Sequence, residues 1–300
     1  LLVSANLLAV VRWGWLLRSL GLYHPVTNYI TLYFAGGLIN QGLPSTIGGD
    51  SYRAVEASRL AHNGETATLA QPTLTQELHE PIDLQHAPPR LRLGFLSVAF
   101  DRGLGLVGNN ILGALGLLLS GSMIAPWGPT LGAWVLGAML GGAVVGCLLL
   151  KLQRTRGLIL ALLTKLGMSQ ALKGVDTAFG WPQVAVQLTI SVMTHTLALC
   201  AFWFCLRAFG IYAPFAALMV GLPALGLLMM LPISISGWGL REATLSAALL
   251  LWGVDSGVTV LASVSFGIVT LVTYLPGAVS LLRRRRADAS STNKAGLATP

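Results

Sequence analysis

LPSTIGGDSYR (residues 43–53) interrupts apolar sequence, carries a proline and a glycine pair and ends on an arginine, and LPISISGWGLR (residues 231–241) repeats its form. The shared pattern is L-P-x-[ST]-I-x-G-x-x-x-R, without gaps. Pro44 and Pro232 cannot donate to a helical ladder and disfavour helix in the residue before them. Gly48, Gly49, Gly237 and Gly239 permit positive φ and close backbone approach, so a helix is predicted to break at each copy and restart. Asp50 or Ser51 is the candidate N-cap of the first restart and Ser236 that of the second.

The sequence around these breaks needs lipid as its solvent. With 54% hydrophobic and 10% charged residues, and a mean hydropathy of +0.71, the chain has too little polar surface to cover a soluble globule of 300 residues. A helix needs about 20 apolar residues to cross hydrocarbon. Long runs at 94–119, 131–150, 184–206, 212–231 and 258–282, with shorter or interrupted ones at 1–20, 26–43 and 240–252, give eight hydrophobic segments. They lack sustained period-2 alternation, which excludes a transmembrane barrel. The expected fold is all-α, a polytopic membrane bundle of about 7–8 segments with two broken-helix or re-entrant motifs. Residues 1–286 form its membrane domain, with a polar, cytoplasmic loop at 61–92, and residues 287–300 a disordered tail. The chain opens on Leu1 within apolar sequence, which raises the expectation of an earlier segment.

The net charge of +8 lies in blocks that report orientation, because Lys and Arg flanking spans favour the cytoplasmic side. Lys151, Arg154, Arg156, Lys165 and Lys173 form one block, and Arg283, Arg284, Arg285 and Arg286 another. Counting crossings back from these puts Arg53, Arg59, Arg90 and Arg92 in the cytoplasm and makes the two motifs parallel repeats, with Arg18 near the outer face as a violation. A re-entrant loop at either motif would overturn that count. The C-terminus is expected in the cytoplasm. Anionic lipid headgroups, rather than nucleic acid, are the partners such juxtamembrane charges fit.

A restarted helix offers unpaired N–H groups and the positive end of its dipole, to which Arg53 and Arg241 add full charges. Each motif therefore reads as an anion site. The plainer reading is two turns whose Asp50, Glu56 and Glu242 satisfy the arginines at the interface, and repetition in register favours the functional one. His195 reads as a neutral, hydrogen-bonded core residue, and Asp101 and Arg102 as a local interfacial pair or a counterpart of Arg53 or Glu242. Gly103, Gly105 and Gly108 spell G-x-G-x-x-G inside a membrane segment that follows no strand, which excludes a dinucleotide fold. Gly137, Gly141, Gly142 and Gly146 allow close helix packing. Cys147, Cys200 and Cys205 lack ligand spacing. No catalytic, metal or cofactor motif is present, so no cofactor is expected and an enzyme reading has no residues to name, which weighs against it without closing it.

The stretches INQGLPSTIGGDSYRA (residues 39–54) and LPISISGWGLREA (residues 231–243), with RWGWLLRSLG and VAFDRGLGLV as weaker support, resemble the membrane region of lysylphosphatidylglycerol synthases and the flippase-like proteins related to them. The resemblance implies a multi-pass domain in the inner or plasma membrane; the family's synthases carry an additional soluble transferase domain, which the residues after Arg286 are too few to form, so synthase activity is not expected of this chain. It further implies a bacterial origin, movement of an anionic phospholipid or polyprenyl-phosphate-linked lipid, and a soluble transferase or other membrane protein as a possible partner. The alternatives are a membrane enzyme or enzyme subunit in lipid modification or glycosylation, and a membrane scaffold. The candidate substrate-binding residues are Asn40, Pro44, Ser45, Gly48, Gly49, Asp50 and Arg53 in the first copy, and Pro232, Ser234, Ser236, Gly237, Gly239, Arg241 and Glu242 in the second. Against the family's pattern the polar loop reads as longer than the usual connections, and the opening on Leu1 raises the expectation of a leading span before it.

Overall fold

The structure is a computed structural model that describes residues 1–43, 47–60, 88–120, 180–229, 234–250 and 252–283. Pro44, Ser45, Pro232, the predicted span at 131–150, the basic connection at 151–173, most of the polar loop and the tail lie outside the described residues. Eight helices are described and no strand: α1 (Leu2–Ser19), α2 (Val26–Gly42), α3 (Ile47–Leu60), α4 (Pro89–Leu119), α5 (Trp181–Ala208), α6 (Phe215–Leu228), α7 (Leu240–Leu250) and α8 (Ser256–Tyr274). Helix continues beyond α8 as far as Arg283, past a turn at Leu275 where Pro276 interrupts the ladder. The chain is an α-helical membrane bundle. Arg90–Leu119, Pro182–Ala208 and Ser256–Arg283 are each long and apolar enough to cross a bilayer.

The two broken motifs are the tips of helical hairpins. In the first, α2 and α3 pack antiparallel, and Gly36 and Gly49 meet so closely that a Cβ on either would strike the other's carbonyl oxygen. The hairpin closes at its base, where the carbonyl of Ala57 accepts from His24 Nε2 at 2.8 Å. In the second, Gly221 of α6 faces Leu245 and Ala248 of α7. Each leg is short. At 1.5 Å per residue α2 is roughly 25 Å long and α7 roughly 17 Å, against roughly 46 Å for α4.

Neighbouring contacts fix which way each hairpin enters. Gly94 near the start of α4 packs on the carbonyl of Ala54, and Arg102 reaches Asp50 beside the first tip, so the first hairpin ends partway along α4. Gly116 near the other end of α4 packs on Met219, and Gly226 meets Asn109, so the second hairpin rises from that opposite end. The tips touch where Ser236 Oγ donates to Gln41 Oε1 at 2.8 Å. The hairpins are therefore re-entrant, one from each end, and the repeats are inverted rather than parallel.

This corrects the crossing count, because a re-entrant hairpin returns the chain to the end it left. Arg18 then lies at the same end as Arg59, Arg90, Arg92 and Arg283, and the expected violation disappears. Repetition also extends beyond the motifs. Residues 20–25 (LGLYHP) and 209–214 (FGIYAP) share G-x-Y-x-P. Gly21 (φ 84°) and Gly210 (φ 75°) each end a helix in the left-handed conformation. Leu22 donates to the carbonyl of Leu17 at 2.9 Å and Ile211 to that of Leu206 at 3.0 Å, the same helix-ending bond. The repeating unit is thus a long helix, a capped turn, a re-entrant hairpin and a second long helix.

Packing inside the bundle uses small residues, as expected where lipid leaves little hydrophobic drive between helices. Gly108 accommodates Ser191, Gly277 the backbone of Phe34, and Gly37 the ring of Tyr274. Trp13, Leu17, Leu32 and Ala54 join one buried cluster around the first hairpin, and Phe202, Leu218, Leu245 and Leu249 another around the second. Leu261, Ile268, Val269 and Val272 on α8 stay exposed, forming a face suited to lipid.

Candidate functional site

The first tip is held by a chain of alternating charges drawn from three helices. Arg12 of α1 donates through Nε to Asp101 Oδ1 at 2.9 Å. Asp101 Oδ2 accepts from Arg53 Nη1 at 3.4 Å, and Arg53 Nη2 reaches Asp50 Oδ1 at 2.9 Å. Arg102 then grips Asp50 with two bonds, Nε to Oδ2 at 2.7 Å and Nη2 to Oδ1 at 2.9 Å. The order is Arg12, Asp101, Arg53, Asp50, Arg102, three cations against two anions, which leaves one positive charge in excess.

The excess appears at one end. Arg12, Arg53 and Asp101 are 5%, 3% and 2% exposed, so their charges have no access to water and depend on one another. Arg12 is closed off by Ser191, whose Oγ accepts from Nη1 at 2.8 Å and donates to the carbonyl of Leu104 at 2.8 Å. Arg53 is covered by Trp13 and Tyr33, whose ring centres lie 4.9 and 4.7 Å from its guanidinium carbon. Arg102 has a side chain 46% exposed and lines a pocket.

That pocket, of about 140 Å³, lies where the hairpins meet. Gly37, Asn40 and Gln41 line it from the first hairpin; Met229, Ser234, Ser236 and Gly237 from the second; Arg102 and Tyr274 complete it from α4 and α8. Asn40 Oδ1 accepts the Gly49 N–H at 2.8 Å, which ties the end of α2 to the first turn of α3. Tyr274 donates its hydroxyl to Asn6 Oδ1 at 3.1 Å, which fixes the ring against Gly37. Amide, hydroxyl and guanidinium groups thus converge on one small space.

The second tip is neutral. Arg241, 6% exposed, pairs through Nη2 with Glu242 Oε1 at 2.9 Å, and Ser263 bridges the two by accepting from Arg241 Nε at 3.2 Å and donating to Glu242 Oε1 at 3.1 Å. The other oxygen of Glu242 accepts the Gly239 N–H at 2.6 Å, so the start of α7 is capped by its own side chain. Ser236, Gly237 and Gly239 have φ of 51°, 79° and 80°, left-handed conformations that let the chain turn within the bundle.

Of the sequence candidates, Asn40, Ser234, Ser236 and Gly237 line the pocket, while Asp50, Arg53, Arg241 and Glu242 lie in the charge networks behind it. Gly48 and Gly49 sit in the first turn of α3, against Leu43 and Asn40, and Gly239 opens α7. Asp101 meets Arg53, as expected of a counterpart, while Arg102 meets Asp50. His195 finds a partner in the carbonyl of Gly105, with Nε2 donating at 2.9 Å. Arg12, Gln41 and Tyr274 were not singled out. Arg12 carried a usable signal, because an arginine within an apolar span is functional by default. Among the described residues no group of three or more potential metal ligands occurs.

Neither a curated protein nor a solved structure matches the chain. The family model for the lysylphosphatidylglycerol synthase TM region matches residues 1–277, and with it the motifs, both hairpins and the pocket: the chain belongs to that family.

Proposed function

We propose that this protein is a lipid translocase whose pocket receives the anionic headgroup of a phospholipid or polyprenyl-phosphate-linked lipid. The supporting observation is the alternating charge chain, which has one positive charge in excess and ends at Arg102 in the pocket. Arg102 is held by Asp50 through Nε and Nη2 and stays half exposed in the pocket, so an anion arriving there meets a positioned guanidinium and completes the alternation of charges. Arg102 rather than Arg53 meets the headgroup. Arg53 acts through Asp50, which holds Arg102 by its Nε and Nη2 edge, and Arg241 with Glu242 shapes the second tip.

Inverted repeats with discontinuous helices are a common transporter plan, with the substrate bound at the repeat interface near the midplane. Small rocking of one hairpin against the other would open the pocket to either end, with the Ser236–Gln41 bond as the contact that breaks. The arginine-rich end, with Arg18, Arg59, Arg90, Arg92 and Arg283, faces the cytoplasm of an inner or plasma membrane, and Arg207 marks the opposite end.

The test is movement of labelled phospholipids and polyprenyl-phosphate lipids across proteoliposomes made with wild type, Arg102→Gln, Arg53→Ala and Arg241→Ala. Wild type should move one lipid class and Arg102→Gln should not. Folded wild-type protein that moves neither class sinks the proposal.

A further inference from the structure

The G-x-G-x-x-G stretch of α4 lines no part of the pocket, yet it stands between the two halves of the bundle. Before it, α4 serves the first hairpin: Gly94 packs on Ala54, and Arg102 holds Asp50. After it, α4 serves the second: Asn109 Nδ2 donates to the Pro223 carbonyl at 2.9 Å, and Gly116 packs on Met219. We infer that residues 103–108 are the hinge about which the half of the bundle that carries the first hairpin rocks against the half that carries the second. The purpose of the hinge rests on the translocase reading, and its test does not.

Three observations carry the inference. The first is that two of the glycines are not required by packing. A Cβ at Gly103 would meet nothing within 4 Å, and one at Gly105 would come no closer than 3.4 Å, to Arg12. Only Gly108 is held by a close neighbour, Ser191. Alanine at the two open positions would strengthen the helix, because glycine has the greater backbone freedom to lose. Glycine there makes the ladder easier to open.

The second observation is the provision made for the backbone. The carbonyl of Leu104 accepts from Ser191 Oγ at 2.8 Å, and the next carbonyl, of Gly105, accepts from His195 Nε2 at 2.9 Å. These are adjacent residues of a helix that runs unbroken from Pro89 to Leu119, so each carbonyl has a side-chain donor besides its place in the ladder. In lipid no water replaces an opened helical bond, and a break is tolerated where a neighbouring helix satisfies the freed group. Ser191 and His195, four residues apart on one face of α5, supply that partner at the two consecutive positions.

The third observation joins the hinge to the pocket. The Ser191 oxygen that donates to Leu104 also accepts from Arg12 Nη1 at 2.8 Å. Arg12 ends the charge chain that starts at Arg102 in the pocket. An unbroken set of ion pairs and hydrogen bonds therefore leads from the space between the tips to the carbonyl at the bend.

The experiment measures the distance distribution between spin labels on the two tips, at Ile47→Cys and Ile235→Cys, in nanodiscs without added ligand. Both positions are exposed and hold matching places in the two motifs, and the native Cys147, Cys200 and Cys205 are replaced by alanine. The parent protein should show two populations. Gly103→Ala should cut the wider one about fivefold, the Boltzmann factor of the glycine-to-alanine difference in a helix interior, and adding Gly105→Ala should cut it further, with no loss of melting temperature. His195→Ala should deplete the wider population as well, and His195→Gln, which returns an N–H donor, should restore it. A single population in the parent, or a distribution that the glycine substitutions leave unchanged, would overturn the hinge. So would a loss in His195→Ala that His195→Gln does not restore, the result expected of a histidine that only fills space. Gly103→Ala places its methyl in open space, so it reads the hinge even if another variant fails to fold. None of these outcomes involves lipid movement, and the translocase reading stands or falls separately in proteoliposomes.

Discussion

Arg53 in the first hairpin shares Asp50 with Arg102 and Asp101 with Arg12, whereas Arg241 in the second pairs with the next residue along its own helix. The motifs that hold them match position for position. What differs is the acid. Asp50, three residues before Arg53, points across to α4, while Glu242 turns back to cap Gly239 and neutralises its own tip. The first tip therefore shares its charges with two neighbouring helices and keeps an excess, and the second balances its charges within its own helix, with Ser263 of α8 as a neutral bridge. Two hairpins of matching sequence pattern thus end differently, the first tip with an excess positive charge and the second neutral.

The largest effect that could break this contrast is at Asp101. Asp101→Ala leaves Arg12 and Arg53 buried without a carboxylate between them, and breaking such a pair costs on the order of 3–5 kcal/mol. Ser263→Ala, at the corresponding bridge of the second tip, removes a hydrogen-bonding hydroxyl and costs about 1 kcal/mol. Thermal unfolding in detergent compares the two, and equal losses would mean that the tips are not held differently.

Next in size is the glycine pair. A methyl at Gly49 would strike the carbonyl of Gly36 and Asn40 Oδ1, so Gly49→Ala should lower stability by about 1–3 kcal/mol. At Gly237 a methyl meets only the flexible end of Met229, leaving mainly the left-handed φ of 79° to be strained, for about 1–2 kcal/mol. Gly237→Ala more damaging than Gly49→Ala would show that the second tip is the more tightly packed.

A smaller, pH-dependent difference separates the units at their capped turns, where the second unit has Ala213 at the place of His24. Burial lowers the His24 pKa below its ordinary 6.5, with the bond to the Ala57 carbonyl opposing, so the folded state prefers the neutral ring. The stability this confers is present above the ordinary pKa and is lost as pH falls below it. Melting temperature should drop on acidification through pH 6.5, and His24→Ala should flatten that slope.

The smallest effect is at the contact between tips. Ser236→Ala removes the bond to Gln41 for about 1 kcal/mol at most, because a part-buried neutral hydrogen bond contributes little net stability. If lipid movement slows much more than stability falls, the contact belongs to the transport cycle.

Much of the bundle was legible because its signals are local. Apolar runs marked the long helices, and proline with glycine marked the two breaks in register. The direction of the second repeat was not, since a crossing and a re-entrant hairpin have the same composition at these lengths. Even so, Arg18 on the wrong side was a sign of the error, and the G-x-Y-x-P turns were a second, unread copy of the repeat. Within the site the arginines were found but their order was not. Arg53 and Arg102 look alike in sequence, and only packing against Trp13 and Tyr33 encloses the one while the other lines the pocket.

By itself, then, the sequence determined that this chain is a helical membrane protein with a duplicated break, because hydropathy, proline and glycine act within a few residues of where they stand. The tertiary structure decided that the copies enter from opposite ends, that Asp50 and Asp101 are shared among three arginines, and that one charge remains over at Arg102. Those outcomes depend on helices far apart in the chain meeting at one level of the bundle, and pairing of charges over such separations is set by geometry rather than by order.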